Sequence, residues 1–162
     1  MPGVRARAAT AVLTVTIAVG ACGTDGSSRQ DLVAERGAQV MPFDLDATTH
    51  DFEPTPDGGI QTVTADDPGD LEQIQLIRQH LAEERAAFAT GDFGDPIAIH
   101  GHDMPGVAEL TAGADRIDVR YEDVPAGGRL HYATVDGVLV EAIHDWFDAQ
   151  TMDHGEHADG QG

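Results

Sequence analysis

The pattern of apolar and polar positions divides the chain into two hairpin-then-helix units. In "RIDVRYEDVPAGGRLHYATV" the alternation is clean. Ile117, Val119 and Tyr121 share one face of an extended chain, and Leu130 and Tyr132 can join them from a partner strand. Asp118, Arg120, Glu122, Arg129 and His131 fall on the other face, and Pro125-Ala126-Gly127-Gly128 supplies the turn. Upstream, "ATTHDFEPTPDGGIQTVTA" has the same layout around Pro56-Asp57-Gly58-Gly59. After each hairpin the period lengthens. "DLEQIQLIRQHLAEERAAF" puts Leu71, Ile74, Ile77, Leu81 and Phe88 on one helical stripe. Asp70 stands as its N-cap, with Gln73 three residues later echoing a capping box. "DGVLVEAIHDWFDAQ" gathers Leu139, Ile143, Trp146 and Phe147, and leaves Glu141, His144, Asp145 and Asp148 elsewhere around the helix. The pattern predicts an α+β fold: a duplicated β-β-α plan, giving a four-stranded antiparallel sheet with two helices on one face. Between the units, Gly91 to Gly113 reads as an insertion with a short helix after Pro105, Val107 and Leu110 facing inward.

The ends read differently. "MPGVRARAAT" carries Arg5 and Arg7 and no acid, and the apolar run "AVLTVTIAVGA" that follows is too short to span a membrane, which takes ~20 residues. The run ends in Val19-Gly20-Ala21-Cys22, which resembles a bacterial lipobox. That resemblance implies a lipoprotein signal peptide over 1–21 and lipidation of Cys22, so that the protein is extracytoplasmic and anchored to the bacterial membrane. A polar stretch over 22–42 reads as a flexible tether, 43–152 as a single domain, and 153–162 as a flexible tail rich in histidine and acid.

Charge narrows the partners. All nine basic residues are arginines, against 29 acids, for a formal net charge of −20. That field disfavours nucleic acid and anionic substrates and attracts metal ions and basic proteins. Cys22 is the single cysteine, so a disulfide, a thiolate nucleophile and a sulfur-rich zinc site are all excluded from the domain. The two serines, Ser27 and Ser28, fall in the expected tether. No GxSxG, HExxH or phosphate-cradling loop occurs. The expectation is a protein that is not an enzyme.

The segments "MPFDLDATTHDF", "GDFGDPIAIHGHDMPG", "AGADRIDVRYEDVP" and "DHGEHADG" resemble a family of short bacterial proteins often labelled aspartate carbamoyltransferase. The likeness runs over essentially everything from Met41 onward and implies no established activity. The residues do not supply that transferase chemistry. Carbamoyl phosphate is a dianion that such enzymes grip with a Ser-Thr-Arg-Thr-type loop, arginines and a lysine, and this chain has neither the loop nor any lysine.

Candidate chemistry lies with histidine and methionine. On extended chain, His100, His102 and Met104 would point one way. His144 sits on the last helix one turn from Asp148, and His154 and His157 close the chain. Imidazole suits copper and zinc, and thioether selects Cu(I). The expectation is a metal site built from His100, His102 and Met104 and completed by His144, His154 and His157, with copper first and zinc second, serving buffering or delivery. His50, His80 and His131 read as structural. The alternative is a non-catalytic module whose acidic sheet face docks a basic envelope protein.

Overall fold

A computed structural model describes residues 24–154, with side chains from Arg29 to Asp153. The element order is α1 (Thr24–Val40), β1 (Thr48–Thr55), β2 (Gly58–Ala65), α2 (Leu71–Phe88), α3 (Gly94–His100), α4 (Val107–Gly113), β3 (Asp118–Val124), β4 (Gly127–Ala133) and α5 (Gly137–His154). The strands form one antiparallel sheet in the order β1-β2-β4-β3. Two-residue turns close both hairpins, with Thr55 opposite Gly58 and Val124 opposite Gly127. The fold is therefore α+β, as the alternation predicts. A hairpin followed by a helix occurs twice, but order alone does not make the halves copies of one another.

Burial follows the two-residue period. His50, Phe52, Val63, Val119, Leu130 and Tyr132 are buried on the inner face. The outer face carries Arg120, Glu122, Arg129 and His131, half-buried or exposed. There Arg120 pairs with Asp118, and His131 Nε2 lies 3.3 Å from Glu122. Each long helix packs chiefly on the hairpin it does not follow: α2 lies over β3 and β4, and α5 over β1 and β2. Glycine makes both crossings close. A Cβ on Gly59 would come within 2.3 Å of Phe147 on α5, and one on Gly128 within 3.0 Å of Leu81 on α2.

Within α2, Ile74, Ile77, Leu81 and Phe88 are buried as the stripe predicts, whereas Leu71 is 75% exposed at the helix start. Asp70 Oδ1 accepts from the Gln73 N–H, but Gln73 does not close the box. Its Oε1 accepts instead from the Asp44 N–H, tying the helix start to the segment before β1. Val107 and Leu110 are buried on α4, as expected.

Three boundaries differ from the sequence reading. The expected tether over 22–42 is mostly helix α1. Its long-range partners hold it: Arg29 pairs with Asp153, Gln30 donates to the Met152 carbonyl, and Val33 is buried. The expected loop around His100 is helix α3, begun by Asp92 Oδ1 accepting from the Gly94 N–H. The expected tail does not start at 153, because α5 runs to His154 and Asp153 is buried. Among the described residues, no helix is long and apolar enough to cross a membrane. Cys22 lies outside them.

Candidate metal centre

His80 and Glu84 stand one turn apart on α2, and this i, i+4 spacing points both side chains the same way. They border the apolar stripe that packs on the sheet and share a cavity wall with His50 and Gln61 of the strands. The link from α2 to α3 folds back through Gly91, in the left-handed region at φ 80°, while Phe93 stacks on Phe88 at 4.7 Å. That reversal sets Asp95, in the first turn of α3, against the pair. One ligand atom each from His80, Glu84 and Asp95 lie within 4.8 Å of one another.

The electrostatics of this trio are unusual. Glu84 is 9% exposed. Burial pushes its carboxyl up, and the nearby Asp95, Asp92 and Glu83 push further, so that it titrates at about 8. It holds a proton at neutral pH and shares a hydrogen bond with Asp95. Burial pulls His80 below its ordinary 6.5, against the opposing pull of Asp95 and Glu83, and favours the neutral imidazole. A neutral imidazole beside two close carboxylates is a nitrogen and oxygen donor set that a divalent cation could bridge.

Inward of the trio lies a cavity of about 30 Å³. His80 and Glu84 form part of its wall, with His50, His100, Gln61 and Trp146. Aromatic rings pack around it. Phe43 lies edge-on to His80 at 5.6 Å, and Trp146 packs against Phe88, Phe93 and Tyr132 at 5.6 to 5.7 Å. The Tyr132 hydroxyl donates to Gln61 Oε1 at 2.8 Å.

The described residues among those expected to bind metal have these surroundings. His100 is buried at the end of α3, its Nδ1 2.9 Å from Asp153 Oδ2. Burial holds His100 below its usual range, so the contact is a neutral N–H donating to a carboxylate. Burial raises Asp153, but hydrogen bonds from Arg29 and His100 outweigh it and hold the carboxyl below the usual range. His102 is exposed in the turn after α3. Met104 is 5% exposed, and its thioether packs within the apolar core. The helical backbone at His100 removes the two-residue period that aligned the three on paper.

His144 also has other work. Its Nε2 lies 3.0 Å from the Thr55 carbonyl and 2.9 Å from the Gly58 carbonyl. Carbonyls only accept, so Nε2 carries the proton and donates, pinning α5 to the first hairpin turn. The His154 side chain and His157 lie outside the described residues. The histidine grouped with two carboxylates is His80, which the sequence pattern presents as structural. Its signal was the pair His80 and Glu84 at helical spacing. Asp95 had none, since its position depends on the fold-back after α2.

No family model matches the chain, and neither does any curated protein or any solved structure.

Proposed function

We propose that this is a lipid-anchored, extracytoplasmic metal-binding protein whose ion sits between His80, Glu84 and Asp95. The observation that carries the reading is the convergence of three ligand atoms from two helices within 4.8 Å. The lipobox-like Val19 to Cys22 supports the anchor and the compartment. Buffering or delivery of the ion at the membrane is the role that follows.

The donor set moves the choice of metal. One imidazole and two carboxylates, with no sulfur, suit a borderline divalent ion, and Cu(I) loses its thioether once Met104 is in the core. Zinc therefore leads and Cu(II) follows. Three protein ligands leave a fourth position free on a tetrahedral ion. The chain keeps its likeness to the short bacterial proteins that share its "MPFDLDATTH" segment, without their transferase label. Among the described residues, no arginine lines the inner cavity to hold a dianion.

The test is a Zn(II) or Co(II) titration of the full chain beside His80→Ala, Asp95→Asn and His102→Ala. Losing partners that merely support a ligand costs ~10–100-fold in affinity, so removing a ligand should cost at least about 100-fold. His102→Ala should bind like wild type. Equal affinity in wild type and His80→Ala would refute the centre. Because Glu84 titrates at about 8, binding at pH 7 should release close to one proton. Calorimetry in two buffers of different ionisation enthalpy measures that release.

A further inference from the structure

Trp146 is the chain's single tryptophan and is fully buried, 0% exposed. Its indole Nε1–H has no hydrogen-bond partner among the described residues. Leaving such a donor unpaired in the interior is costly, and each case calls for a physical reason. Trp146 lines the same cavity as His80 and Glu84. A single water needs ~10–15 Å³ of such space, so about 30 Å³ has room for an occupant of two or three heavy atoms.

Two requirements meet in this one space. The indole can only donate, so its partner must be an acceptor. A cation held by His80, Glu84 and Asp95 has a coordination position that its protein ligands do not fill. We propose that the cavity binds a small hydrogen-bond acceptor, water or a monovalent anion of up to about three atoms. This ligand accepts from Trp146 Nε1 and occupies the inner coordination position of the ion. The inference rests on the metal reading above and names the ligand class of that same site.

Selectivity follows from charge and shape. Two carboxylates neutralise a divalent ion, so the centre does not draw polyanions, and the net charge of −20 repels them. The Phe43, Phe52 and Phe88 rings give the cavity wall an apolar part beside its polar groups, and the small volume favours compact ligands.

The experiment uses the full chain loaded with Zn(II) for nuclear magnetic resonance and with Co(II) for visible absorption. One tryptophan gives one indole N–H cross-peak. Azide and fluoride are added separately as probes. Azide should shift the Co(II) bands and, in the Zn(II) form, move the indole peak downfield. Trp146→Phe should keep its Co(II) and bind azide about tenfold more weakly. Cobalt bands that stay put at high azide, in a chain that has bound Co(II), would show the inner position closed to anions, and an indole peak lacking the downfield place of a hydrogen-bonded N–H would then overturn the water arm too. Bands that move while the indole peak does not would remove Trp146 from the site, with no need for the variant to fold. A chain that binds no Co(II) at all would sink the metal centre itself, and this inference with it.

Discussion

Glu84 reports on the centre even without an ion, because its protonation is set by burial and by three neighbouring acids. Between its ordinary 4.5 and about 8, the folded state holds a proton that the unfolded chain has lost. Stability from this group is thus fully present below 4.5 and is lost as pH rises through 8. His80 and His100 act in the opposite sense. Both are held below 6.5, so the unfolded chain takes up protons below that pH that the folded state refuses. Their contribution is present above 6.5 and is lost as pH falls. Two histidines against one carboxyl make the metal-free protein most stable near pH 6.5. Toward pH 8.5 it should weaken by about 1–3 kcal/mol, since one pKa unit is worth about 1.4 kcal/mol. Urea midpoints from pH 5 to 9 test this, with Glu84→Gln flattening the alkaline limb. A wild-type midpoint that climbs steadily from pH 6.5 to 8.5 would show that Glu84 is not held protonated.

At the scale of elements, α1 and α3 both resist reading, and α3 carries Asp95 of the centre. The strands and the two 18-residue helices were legible because their periods persist across several turns or pleats between Gly and Pro breaks. Helix α3 has seven residues, too few to display a period, and its Asp-Pro start resembles a turn. Among its described side chains, helix α1 buries one large apolar group, Val33, and it is tied by polar partners more than 60 positions away. Those partners predict its energetics. Asp153 is 6% exposed and accepts from both His100 and Arg29, whereas Arg29 is 55% exposed. Removing the buried member leaves His100 without its acceptor, so Asp153→Ala should cost ~3 kcal/mol. Arg29→Ala should cost below about 1 kcal/mol, because water replaces much of what an exposed arginine supplies. Both should speed proteolysis within 24–40. Equal costs in urea unfolding would mean that the pair is not asymmetric in burial. The same distance effect hid the site: His80 and Glu84 show their spacing locally, whereas Asp95 meets them only after the chain reverses.

The whole molecule sets the conditions under which metal binding must be judged. With 29 acids against nine arginines, self-repulsion destabilises the fold at low ionic strength, and any added cation relieves part of it. Millimolar Mg(II) or ~0.15 M NaCl should therefore raise the melting temperature in wild type and His80→Ala alike. One ion bound at a defined centre behaves differently. At free Zn(II) a hundredfold above the dissociation constant, linkage stabilises the folded state by ~2.7 kcal/mol, several degrees in a domain of this size. That gain should appear at about one equivalent of zinc, persist in 0.15 M salt, and vanish in His80→Ala. Melting curves of both proteins across the three cations separate the two effects. If His80→Ala gains as much from one equivalent of zinc as wild type does, zinc is held by the acidic surface at large. If only wild type responds, the ion is held by geometry, and the acidic field serves to concentrate cations around a centre built by two helices.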